Sequence, residues 1–100
     1  MKKQINKLVR DNIPSLCKNP EIKILDEVEY GAALKRKLKE EVEEYLQDNT
    51  VEELADIIEV VEALAENQGS SLREVMELKL RKQSKNGAFK KRIFLISVDG

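Results

Sequence analysis

Three successive stretches of this chain repeat apolar residues at helical spacing, and only short polar breaks separate them. From about Glu27 to Leu46, Tyr30, Leu34, Leu38, Val42 and Tyr45 fall close to one face at about 100° per residue. Gln47-Asp48-Asn49-Thr50 breaks the pattern and caps a second helix, about Val51 to Asn67, with Gly69 as a stop signal near its end. Ser71-Leu72-Arg73-Glu74 has capping-box form and opens a third helix to about Gln83. Connections this short force antiparallel neighbours. The expected fold is therefore mainly α, a small antiparallel helical bundle with short extended segments at the termini.

The termini carry a weaker, extended signal. Residues 5–25 hold both prolines, Pro14 and Pro20. Ile22-Lys23-Ile24-Leu25 alternates in part and reads as a short strand that Asp26 ends. Asn86-Gly87 turns the chain before Arg92-Ile93-Phe94-Leu95-Ile96-Ser97-Val98, a tail rich in β-formers. The expectation it raises is pairing with an N-terminal segment.

One hundred residues suffice for one domain with a modest core, built mainly from Leu, Ile, Val and Ala because only four aromatics are present. With no His, imidazole zinc sites and His general bases are excluded. The single Cys17 rules out an internal disulfide and fits a reducing compartment. No stretch approaches the roughly 20 apolar residues that span a bilayer, and Lys2 and Lys3 precede no signal-like hydrophobic run. A cytoplasmic location is the expectation. Formal net charge is −1, so no overall field draws the chain to nucleic acid or membrane. Locally the charge is uneven: residues 40–66 are acidic, and 79–92 hold Lys79, Arg81, Lys82, Lys85, Lys90, Lys91 and Arg92.

The acids sort by helical wheel. In the first helix Glu41 falls between Tyr30 and Leu34, inside the apolar arc, with Glu44 on its shoulder beside Ala33 and Glu40 further out. Glu43 points to solvent. In the second, Val60, Leu64, Ile57, Val61, Leu54, Ala65 and Ile58 form one arc; Glu53 lies within it and Asp56 borders it. Glu52, Glu59, Glu62 and Glu66 take the opposite face. Carboxylates converging between helices repel unless protonated or bound to cations. Their oxygens suit Mg²⁺ or Mn²⁺, which leave positions for water and phosphate oxygens and so suit phosphoanhydride hydrolysis. A plainer reading is available. Thr50-Val51-Glu52-Glu53 is itself a capping box, and Glu40 and Glu44 are ordinary i,i+4 surface acids. Capping accounts for Glu53 but not for Asp56 or Glu41.

On the third helix Lys79 falls between Val75 and Met76 on the apolar side, with Lys82 beside it. Either Lys79 snorkels at a helix edge, or the two lysines offset the acids or hold phosphate oxygens. Lys85 through Arg92 adds cations beside a turn, in the manner of an anion-binding segment or a solvated patch.

Glu40-Glu41-x-x-Glu44 followed by Glu53-x-x-Asp56 resembles the EExxE…ExxD signature of the MazG-like, all-α nucleotide pyrophosphohydrolases. Lys7-Leu8-Val9-Arg10-Asp11-Asn12-Ile13-Pro14 is similar to the KLVRDxIP opening of the small group labelled phosphoribosyl-ATP pyrophosphohydrolase-like. Gly87-Ala88-Phe89-Lys90-Lys91-Arg92-Ile93 resembles that group's closing GGFxKRI. The resemblance implies a helical homodimer or homotetramer that cleaves a nucleoside triphosphate between its α and β phosphates, with Mg²⁺ (Mn²⁺ as substitute). By motif position it implies Glu41, Glu44, Glu53 and Asp56 as metal ligands. Glu40 or Glu41 would orient the attacking water. Lys7, Arg10, Lys79, Lys82, Lys91 and Arg92 would contact substrate, Lys82 matching a basic position of the family's third helix. The chain departs from the family pattern at Asn86 and Ala88, where Arg and Gly are common.

Two other functions compete: a non-catalytic nucleotide-binding or regulatory module, and phosphoribosyl-ATP hydrolysis. Nucleic-acid binding is not expected, since the basic patch lacks repeated aromatic interleaving and the chain is near neutral.

Overall fold

The computed structural model describes residues 2–100. Helix α1 spans Glu27–Asp48, α2 Val51–Asn67 and α3 Leu72–Asn86. A one-turn 3-10 helix at Pro14–Leu16 precedes them, and among the described residues there is no strand. The mainly α expectation therefore holds.

Each helix starts on a side-chain cap. Asp26, expected to end a strand, instead begins α1: its carboxylate accepts the Glu29 N–H at 2.8 Å, while Glu29 accepts the Asp26 N–H. Thr50 Oγ1 accepts the Glu53 N–H at 3.3 Å, and Ser71 Oγ accepts the Glu74 N–H at 3.1 Å. The ends are equally local. Asn49 stops α1 in the left-handed region, at φ 56°. Gly69, at φ 80°, lets the Ser70 N–H return to the Ala65 carbonyl at 2.8 Å past the end of α2. The third helix runs three residues beyond the expected Gln83, to Asn86, with Gly87 as its C-cap.

Packing is sequential. α1 lies against α2 and α2 against α3, while α1 and α3 are not neighbours. The core is accordingly thin: Ala33, Leu34, Val60 and Ala65 are its buried apolar residues, joined by the charged Glu41. Gly31 fits the N-terminal end of α1 against the last turn of α2, since a Cβ there would sit 3.0 Å from Asn67 Oδ1. The continuous apolar arc read on α2 is only half used. Val60 is buried, but Leu54 and Ile58 remain exposed, because α1 and α3 together do not cover so wide an arc.

The extended termini do not pair. Ile22–Leu25 and the tail beyond Arg92 form no ladder with each other or with anything described. A β-former becomes a strand only beside another strand, and this arrangement of three helices brings none alongside. No helix of the described residues is long and apolar enough to cross a membrane.

Candidate metal centre

The short Asn49-Thr50 turn folds α2 back along α1, so the acidic stretch of α1 meets the first two turns of α2. Two carboxylate triads result. One oxygen from each of Glu40, Glu41 and Glu44 lies within 4.8 Å of the others, and the same holds for Glu41, Glu53 and Asp56. Glu41 belongs to both. It is only 7% exposed, as its place inside the apolar arc required.

The decisive detail is what these oxygens lack. Glu41 Oε2 and Glu53 Oε2 are both buried without a hydrogen-bond partner. Native interiors leave few polar atoms in that condition. Glu53 also settles the capping alternative. Thr50 does cap the helix, but no reciprocal bond from the Thr50 N–H to the Glu53 side chain is formed. Its carboxylate is left for another use.

Cations surround the cluster without filling it. Lys37, one turn before Glu41 on α1, lies 3.3 Å from Glu41 Oε1 and 3.5 Å from Glu40 Oε2. Sequence reasoning passed over Lys37, though its i,i+3 and i,i+4 spacing to the two acids was legible. From the N-terminal segment, Lys7 Nζ donates to Glu40 Oε1 at 3.0 Å. Arg10 Nη2 donates to Asp56 Oδ1 at 2.7 Å, and Arg10 Nη1 lies 3.5 Å from Glu59. Lys7 and Arg10 thus do reach the acidic motifs, although 33 and 46 residues separate each from its partner. Both pairs are well exposed and contribute little to stability. A cleft of about 130 Å³ lies beside Glu40, with Lys7, Arg36 and Lys37 on its wall.

The carboxyls respond in opposite directions. Desolvation raises the Glu41 carboxyl; Lys37 opposes this, and repulsion from Glu44 and Asp56 adds to it. Glu53 is raised by desolvation, then by Asp56, Asp48 and Glu41. Glu40 is lowered by its hydrogen bond from Lys7 against a desolvation cost, with Lys37 assisting. The Lys7 ammonium is raised in turn by that hydrogen bond and by the Glu40 charge. The cluster therefore has an anionic rim at Glu40 and an interior where charge is under-compensated.

The basic residues of the third helix and of the segment after it are elsewhere. Lys79, Lys82, Lys91 and Arg92 are all exposed, and among the described residues none pairs with the cluster. Lys90, Lys91 and Arg92 instead border an open hollow of about 400 Å³ at the end of α3.

An all-oxygen donor set with two buried, unpartnered oxygens fits a hard divalent ion such as Mg²⁺ or Mn²⁺. Among the described residues it offers no nitrogen or sulfur ligand, since the chain has no His and its only thiol, Cys17, is exposed on the N-terminal segment. No protein-family model, no curated protein and no solved structure matches this chain.

Proposed function

We propose that this protein is a Mg²⁺-dependent nucleoside triphosphate pyrophosphohydrolase, cleaving between the α and β phosphates to give a nucleoside monophosphate and pyrophosphate. The observation that carries the reading is Glu41, a carboxylate more than nine-tenths buried, with one oxygen unpartnered and four further acids, Glu40, Glu44, Glu53 and Asp56, grouped around it. Lys37 pairs with one Glu41 oxygen only, and a buried charge left partly unmatched costs stability that a bound cation would recover. The motif resemblance supports the same chemistry independently.

Glu41, Glu44, Glu53 and Asp56 would hold the ion, which supplies charge neutralisation at the phosphoryl oxygens and a more acidic bound water. Glu40 stays ionised at the rim because Lys7 and Lys37 stabilise its charge. It orients the attacking water and takes one of its protons as the water oxygen bonds to phosphorus. The phosphoanhydride bond breaks and its electron pair leaves on the pyrophosphate oxygen. Lys7 and Arg10 already stand at the cluster and can turn from carboxylate to phosphate oxygens as the substrate chain arrives. House-cleaning of non-canonical or surplus nucleotides is the role this chemistry suits.

The test is pyrophosphate release over a panel of ribo- and deoxyribonucleoside triphosphates, with phosphoribosyl-ATP included, in Mg²⁺ or Mn²⁺. Turnover that chelation abolishes is the expected result. A flat panel would refute the enzyme reading. The distance of Lys79, Lys82, Lys91 and Arg92 from the cluster favours one alternative, a nucleotide-binding module without turnover. Calorimetric nucleotide binding with no product formed identifies it.

A further inference from the structure

The chain exposes far more surface than its mass requires. Its accessible area is 9468 Å² for 11.5 kDa, whereas a compact monomer of that mass exposes about 5,800 Å². Its radius of gyration is 18.0 Å, against about 12.7 Å for a compact hundred-residue domain. The excess approaches 3,700 Å², more than four times the roughly 800 Å² that each partner buries in a standard stable interface.

Much of this surface is apolar: exposed apolar side chains occur on the N-terminal segment, at Ile5, Leu16, Ile22 and Ile24, and the longest unbroken run of them is the C-terminal tail. In the tail Ile93, Phe94, Leu95, Ile96 and Val98 are all exposed, Phe94 at 88%. Past the turn closed by the Arg92 N–H on the Phe89 carbonyl, the backbone of the tail makes no hydrogen bond with the rest of the described chain. Two apolar rows on the helices are likewise uncovered. They are Leu54 and Ile58 on α2, and Met76 and Leu80 on α3, each pair one helical turn apart.

Charge identifies the occupant. α2 carries Glu52, Glu53, Asp56, Glu59, Glu62 and Glu66 and no Lys or Arg. Residues 79–92 carry seven cations and no Asp or Glu. Although α2 and α3 are neighbours, no ion pair joins these two segments within the chain. A surface that is acidic at one place, basic at another, and apolar beside both is complementary to a copy of itself.

We propose that the tail Ile93–Val98 is an exchanged arm: in solution it lies on the uncovered apolar rows of α2 and α3 of a second copy of this chain. Lys90, Lys91 and Arg92 at its root then face the acids of the partner's α2. The inference stands whether or not the acidic cluster is catalytic.

The test compares the full-length protein with its Phe94→Glu/Ile96→Glu variant by sedimentation equilibrium, with hydrogen exchange read on the tail amides. Expected are a dimer or larger assembly with protected tail amides in the wild type, and association weakened at least tenfold in concentration terms by the double variant. Its helical circular dichroism should be unchanged, because the tail backbone makes no hydrogen bond with its own helices. Leu54→Glu/Ile58→Glu should free the same amides from the other side of the contact. A wild type that stays monomeric overturns the proposal, as does an assembly indifferent to both variants. Sedimentation of a monomeric wild type with phosphatidylglycerol vesicles would assign the arm to a lipid surface and overturn it too.

Discussion

The two halves of this molecule fail to satisfy themselves in opposite ways. Where α1 meets α2, packing is close enough to bury Leu34 almost completely, and the unmet need is electrostatic: carboxylate oxygens are enclosed with too few cations. Along α3 and the tail the cations are plentiful and fully solvated, and the unmet need is burial of Leu80, Phe94 and their neighbours. A charge sealed in a packed seam asks for an ion of opposite sign, because desolvation is what makes it costly. An apolar face left in water asks for another apolar surface. The same sequence thus points to two kinds of ligand, a small hard cation at one end and a protein surface at the other.

The sharpest way to break this contrast is to remove single oxygens from the seam. Glu53→Gln and Asp56→Asn should each weaken Mn²⁺ binding, read by electron paramagnetic resonance, by about a hundredfold or more, while far-ultraviolet dichroism stays unchanged. Retained affinity would take that residue out of the site. Next in size is a packing comparison. Leu34→Ala should cost about 3 kcal/mol in urea unfolding. Leu80→Ala should cost under about 0.5 kcal/mol when the protein is dilute enough to be monomeric. Equal losses would mean that the halves do not differ.

A third prediction concerns pH. The Glu41 carboxyl is raised in the folded state, so its ionised form subtracts from stability above that raised value, and the loss is relieved as pH falls through it. Glu41→Gln should therefore raise the free energy of unfolding at neutral pH in chelator, by roughly 1 kcal/mol. The gain should shrink as pH is lowered and Glu41 protonates by itself. Glu40 has the opposite sign: its carboxyl is lowered, so its contribution is present above the unfolded value and lost as pH falls through the folded one. Added Mg²⁺ should stabilise the wild type most at neutral pH and not the Glu41→Gln variant. A destabilised Glu41→Gln in chelator would show that Lys37 already compensates the charge. Smallest is Gly31→Ala, which sets a methyl 3.0 Å from the movable end of Asn67 and should cost less than about 1 kcal/mol by thermal melting.

Much of this was legible before any coordinates. Apolar spacing fixed three helices, because one buried face at 3.6 residues per turn leaves its mark in the chain itself. It placed Glu41 inside the apolar arc, and the structure buries it there. Capping chemistry was read at Thr50 and Ser71 but missed at Asp26, where the alternation of Ile22–Leu25 suggested a strand end rather than a helix start. Glu53 shows the limit of the method. Its spacing fits a capping box and a metal ligand equally, and the undirected Oε2 atom separates them.

The sequence by itself determined which residues form helices, where those helices begin, and which acids face inward, since each depends on neighbours within a turn or two. Only the tertiary structure decided that Lys7 and Arg10 reach Glu40 and Asp56, and that Lys79, Lys82, Lys91 and Arg92 do not. It alone decided that the β-forming tail finds no strand within its own chain. These outcomes depend on distances between elements, and a local repeat carries no record of them.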